Sequence, residues 1–92
     1  MISLRIPTPL RSYTNGQSEI RLQGGTVGEA MHDLTLQFPA LRPHLYSDDG
    51  MLRAFVNLYL NDEDIRQLQG TGTLLQDGDR LLLIPSIAGG IY

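Results

Sequence analysis

Apolar and polar residues alternate along Ile2-Ser3-Leu4-Arg5-Ile6, and a period of two predicts a half-buried strand. Pro7-Thr8-Pro9 ends it, because proline has no amide hydrogen to give to a ladder. Ser18-Glu19-Ile20-Arg21-Leu22 alternates again and predicts a second strand. Between them Asn15-Gly16 is a strong hairpin signal, but the connection is longer than a two-residue turn, so the expected hairpin is a loose one. The period then changes. Thr26-Val27-Gly28-Glu29 matches a capping box, with threonine at the N-cap and glutamate three residues on. Val27, Ala30, Met31, Leu34 and Phe38 follow at spacings of three and four, one face of a helix that Pro39 terminates.

Residues 40–50, with Pro43, Asp48, Asp49 and Gly50, read as a connection. Arg53 to Leu60 predicts a third strand, in which Val56, Leu58 and Leu60 alternate with Phe55, Asn57 and Tyr59. The more aliphatic set is expected to face the helix, which leaves Phe55 and Tyr59 on the open face of the sheet as an apolar patch. Ile65 and Leu68 belong to a short edge strand or an irregular piece, and Gln76-Asp77-Gly78-Asp79 is a tight turn. Arg80 to Ile84 is a last strand with apolar residues on both faces, as in a central strand covered on both sides. The order is strand, strand, helix, strand, short strand, strand. With the first and last strands parallel neighbours, this is an α+β fold of the β-grasp or ubiquitin-like type, a mixed sheet of four to five strands with one main helix on one face. The domain is expected over residues 1–85, with a tail at 86–92.

Composition narrows the function. A chain of 92 residues has room for one domain, and without cysteine it has no disulfide, no CxxC metal site and no thiol nucleophile. The formal charge of −3 argues against nucleic acid as the main partner. Met1 to Leu10 holds Arg5 and two prolines where a signal peptide needs an apolar core, and no apolar run approaches a membrane span, so a cytoplasmic protein is expected. All seven basic residues are arginine. Drift in a small chain accounts for that, though a protein with an activated C-terminus would also gain by lacking lysine amines that attack it.

The usual chemical motifs are missing. Gly24-Gly25-Thr26-Val27-Gly28 lacks the Gly-Lys-Ser/Thr element of a phosphate loop and reads as a turn and cap. Asn61-Asp62-Glu63-Asp64 lacks calcium-loop spacing and reads as a turn. His32 and His44 have no companion ligand or nucleophile and read as surface residues. No enzyme active site and no metal or cofactor site is legible.

The end of the sequence is different. Pro85-Ser86-Ile87-Ala88-Gly89-Gly90-Ile91-Tyr92 has no strand or helix period. Gly-Gly without Cβ atoms makes either a frayed end or a thin thread able to enter another protein's channel. From Ser86 to Gly90 such a thread reaches roughly 17 Å when extended.

Three stretches decide between these. Ile6-Pro7-Thr8 with Leu10-Arg11, the run Phe55-Val56-Asn57-Leu58-Tyr59-Leu60-Asn61-Asp62-Glu63-Asp64-Ile65-Arg66, and Ile84-Pro85-Ser86-Ile87-Ala88-Gly89-Gly90 together resemble the ThiS/MoaD sulfur-carrier family, most of all its members that serve cysteine biosynthesis in some bacteria. The resemblance implies a carrier, not an enzyme. An E1-like partner, using ATP and magnesium, adenylates the terminal glycine carboxylate. A sulfur donor displaces AMP and leaves a thiocarboxylate, which a sulfur-accepting biosynthetic enzyme then consumes. Gly90 would bear the sulfur, with Gly89 beside it. Ile87 and Ala88 in the tail, with Phe55 and Tyr59 on the sheet, would meet partners.

One feature departs from the family pattern: Gly90 is joined to Ile91-Tyr92, so its carboxylate is not free. Some relatives carry short extensions, which implies a pro-form from which a zinc-dependent JAMM-type protease removes Ile91 and Tyr92. The product of the pathway stays open: cysteine or a related thiol amino acid leads, with thiamin, molybdopterin and sulfur-containing siderophores behind. A protein modifier joined to lysines through Gly90 and a non-covalent interaction module stay open as well.

Overall fold

The computed structural model describes residues 1–53 and 56–85. Its strands are β1 (Ile2–Arg5), β2 (Glu19–Leu22), β3 (Val56–Leu60), β4 (Glu63–Asp64) and β5 (Arg80–Pro85), and its helices are α1 (Val27–Gln37) and the single turn α2 (Arg42–Leu45). They form a five-stranded mixed sheet in the order β2-β1-β5-β3-β4. β1 and β5 run parallel, with Leu4 opposite Leu81, while β5 and β3 run antiparallel. The expected β-grasp arrangement is therefore present, and the doubly apolar β5 is the central strand.

The pleat sends alternate side chains to opposite faces. Leu4, Leu22, Leu58, Leu81 and Leu83 lie buried under α1, whose Val27, Ala30, Met31 and Leu34 are fully buried in return. The aliphatic set of β3 faces the core, as its greater apolar content predicts. Thr26 caps α1: its side-chain oxygen accepts from the Glu29 amide at 3.2 Å. The return arm of the box lands one residue early, where Glu29 Oε1 accepts from the Gly25 amide at 2.7 Å. Gly24 lets the chain pass tightly over the helix start, since a Cβ there would stand 2.6 Å from the Ala30 nitrogen.

Four local expectations are corrected. Asn15-Gly16 does not make a hairpin turn. It ends a 3₁₀ segment, Thr8–Thr14, with Asn15 left-handed at φ 56° and Gly16 at φ 80°. The same tolerance of positive φ serves a C-cap here instead of a strand reversal. Residues 40–50 are not merely a connection, because a 3₁₀ turn (Pro39–Leu41) and α2 bury Leu41 and Leu45. Pro43 is no breaker there, since the first turn of a helix has no amide partner to lose. Arg53 is not part of the third strand, since its amide bonds Leu45 O at 2.8 Å; β3 is described over Val56–Leu60, and residues 54 and 55 of the expected strand lie outside the described residues. The acidic run is only half turn. Asn61 and Asp62 take positive φ (48° and 74°), the signature of a tight hairpin, while Glu63–Asp64 pair back onto β3 as the edge strand. Ile65–Gln67, expected near that edge, is a 3₁₀ turn that buries Ile65.

Candidate functional site

On the face of the sheet away from α1, Arg5, Glu19 and Ile84 are exposed and Tyr59 and Leu82 are half-buried. Cross-strand register fixes its composition. Glu19 stands opposite Arg5, Arg5 beside Leu82, Leu82 opposite Tyr59 and Tyr59 opposite Asp64. One continuous row thus crosses all five strands, with an apolar centre of Leu82 and Tyr59 between charged flanks. A shallow groove runs along it, lined by Arg5, Tyr59, Asp62, Arg80 and Leu82. One step toward the end of β5, Ile84 stands opposite Asn57 and is 41% exposed.

Arg66 locks the β4 side of this face. Its Nη2 donates to Asp64 Oδ2 at 2.8 Å and to Asn57 Oδ1 at 2.7 Å, and its amide donates to Asp64 Oδ1 at 2.9 Å. The hydrogen bonds from the Arg66 side chain, then its amide, hold the Asp64 carboxyl below the usual carboxylate range. The network fixes the short β4 edge to β3. On the other side of the turn Asn61 Nδ2 donates to Asp79 Oδ1 at 3.0 Å, and Asn61 Oδ1 accepts from the Arg80 amide at 3.1 Å, tying the hairpin to β5.

Of the sequence-derived site residues, Tyr59 is half-buried on the open face, as expected. Phe55, Ile87, Ala88, Gly89, Gly90, Ile91 and Tyr92 lie outside the described residues. What the structure adds is Arg5, Leu82 and Ile84 on the same face. Leu82 and Ile84 carried a signal, since an apolar run on both faces of a strand must present half of it away from the helix. Arg5 carried none until its pairing with Leu82 was known. His32 is exposed, and His44, also exposed, stacks on Tyr13 with ring centroids 4.3 Å apart. Among the described residues no cluster of three or more His, Asp or Glu is placed to hold a metal ion. No helix among them is long and apolar enough to cross a membrane.

Comparison with known proteins gives the same picture from outside. Residues 4–90 match the ThiS family. The chain is 38% identical over 91 residues to the sulfur carrier protein CysO of Mycobacterium tuberculosis (strain H37Rv), covering 97% of this chain and 98% of that protein. A chain from the crystal structure of the Amycolatopsis orientalis BexX/CysO complex superposes with a TM-score of 0.87 at 34% identity, covering 98% of this chain and 100% of that one. Small archaeal modifier protein 3 of Haloferax volcanii is 34% identical over 65 residues, covering 71% of this chain and 70% of that protein. With a family match over nearly the whole sequence, an open sheet face and a central last strand running toward a Gly-Gly pair, this chain belongs to the ThiS family of ubiquitin-like sulfur carriers.

Proposed function

We propose that this sulfur carrier of the ThiS/CysO type works through Gly90, that Ile91 and Tyr92 are removed first, and that its sulfur goes to cysteine or a related sulfur metabolite. One observation carries the reading. The family match runs to residue 90, through β5 and across Ser86-Ile87-Ala88-Gly89-Gly90.

The chemistry follows from that terminus. A zinc-dependent JAMM-type protease delivers water to the Gly90 carbonyl and releases Ile91-Tyr92, leaving a free carboxylate. An E1-like enzyme, with ATP and magnesium, joins this carboxylate to the α-phosphorus and expels pyrophosphate. A hydrosulfide-level donor attacks the acyl carbon, expels AMP and leaves the thiocarboxylate. A biosynthetic enzyme accepts that sulfur, held by its carrier at high effective concentration. The carrier contributes recognition through Tyr59 and Leu82 and reach through its last residues, while catalysis belongs to its partners.

The match to an archaeal modifier protein favours a second reading, conjugation through Gly90 to amines of other proteins, which uses the same activation step. The intact mass of the protein from its own cells, purified without thiols, separates the two. Loss of Ile91 and Tyr92 with one oxygen replaced by sulfur supports the carrier. Trimmed chain without sulfur, together with reductant-stable conjugates, supports the modifier. Full-length mass alone, with and without sulfur limitation, sinks both.

A further inference from the structure

The pairing of β1 with β5 stops at Arg5 and Leu82, whereas β3 follows β5 as far as Pro85. After Arg5 the chain turns away through Pro7–Arg11, and this departure opens a cleft of about 680 Å³ beside the end of β5. Its walls are mainly apolar, from Leu10, Val56 and Ile84 among others, and it is closed on the far side by α2. It is distinct from the row that crosses the open face, although Arg5 and Leu82 touch both.

Its charge is one-sided. Arg5, Arg11 and Arg53 line the cleft, with His44, and no aspartate or glutamate does among the described residues. The sequence holds seven arginines and ten carboxylates, so three of the seven gather here against none of the ten. Arg5 faces Glu19 across β1 and β2 and is partly compensated. Arg11 and Arg53 are not. Both are half-buried, and neither forms an ion pair among the described residues. Each is also held in place: Arg11 Nε donates to Ile6 O at 3.0 Å and Arg53 Nε to Pro43 O at 2.9 Å. With Nε anchored to a carbonyl, the terminal nitrogens keep a fixed aim and lose little freedom on meeting an anion.

We infer that this cleft receives a segment of the activating enzyme in which carboxylates alternate with aliphatic side chains. The aliphatic groups fill the walls, and the carboxylates accept paired hydrogen bonds from the Arg11 and Arg53 guanidinium groups. The inference rests on the carrier reading, because only a partner that draws in the residues after Pro85 must settle beside the end of β5. It adds to that reading a second contact, centred on Arg11 and Arg53 and apart from Tyr59, that fixes how the domain is turned when its terminus is presented.

The test is calorimetric titration of the full chain against the E1-like enzyme from the same cell. Arg11→Glu and Arg53→Glu should each weaken binding about tenfold or more, while Arg21→Glu, an equal charge change on β2, should alter it less than about twofold. Arg11→Gln, which removes charge without reversing it, should weaken binding to a smaller degree; thermal melts of all variants confirm folding. Equal weakening by all three reversals would show bulk charge only and overturn the inference, as would no weakening at Arg11 and Arg53. Contacts from residues 86–92 to Leu10 and Val56 in NMR spectra of the free chain would give the cleft to the chain's own end and overturn it too. ATP–pyrophosphate exchange with the chain ending at Gly90 is measured in parallel. Binding through the cleft without exchange removes the carrier reading and leaves the docking surface; exchange without a cleft effect does the reverse.

Discussion

Pro85 stands opposite Val56 as the last pair of the β3–β5 ladder. Proline adds no amide hydrogen, so the ladder has no reason to continue, yet its carbonyl and extended φ suit a terminal strand position. The strand thus runs one residue past the apolar run that marked it. Because β5 is the central strand, Pro85 ends it in the middle of the sheet, with Ile84 and the cleft at hand.

That position matters for activation. The chain ending at Gly90 should support ATP–pyrophosphate exchange with an E1-like enzyme, and the chain continuing through Ile91-Tyr92 should support none above background, since only a free carboxylate can attack ATP. Equal exchange by both forms would refute trimming as the switch.

Neighbours on β5 should separate stability from recognition. Leu81 is 2% exposed under α1, so Leu81→Ala should cost about 2–5 kcal/mol of folding stability in chemical denaturation. Leu82 is half-buried on the open face, so Leu82→Ala should cost about 1 kcal/mol. Leu82→Ala and Tyr59→Ala should nonetheless weaken binding to the activating enzyme, while Leu81→Ala, at a temperature where it is folded, should not. Parallel losses of stability and affinity in all three would show that the open face has no docking role.

The Arg66 network predicts a pH signature. The folded Asp64 carboxyl lies below its unfolded value, so its contribution is present above the unfolded value, near pH 4, and is lost as pH falls through the folded one. NMR titration of Asp64 should therefore show a midpoint below pH 4 that moves up in Arg66→Ala. An unchanged midpoint would mean that the exposed pair is not formed in solution.

The start of α1 gives a local test. Thr26→Ala removes the acceptor for the Glu29 amide and should cost about 0.5–2 kcal/mol. Gly24→Ala should cost more than Gly72→Ala by about 1 kcal/mol or more, because its Cβ meets the Ala30 nitrogen, whereas Gly72 has open space around it and no left-handed backbone. A reversed order in thermal melts would count against the tight passage over the helix start.

The elements that sequence alone predicted are those whose signal is local. β1, β2, α1 and β5 announce themselves by period, cap and proline. The misread places are those where one residue type serves two geometries: Asn15-Gly16 as C-cap or hairpin, Pro43 as breaker or first-turn residue, Glu63–Asp64 as turn or edge strand. Each lies beside buried residues, Leu10 and Thr14 in the first, Leu41 and Leu45 in the second and Ile65 in the third, and burial is not local information.

The sequence by itself determined the fold class, the face of β3 turned to the core and, through the motifs ending in Gly89-Gly90, the family. Only the tertiary structure decided which residues share a surface. Arg5 and Leu82 are far apart in the chain and meet because β1 and β5 pair in parallel; Arg11 and Arg53 share a cleft because β1 leaves the sheet before β5 does. Register and strand length set those meetings, and both are settled by packing the whole core at once.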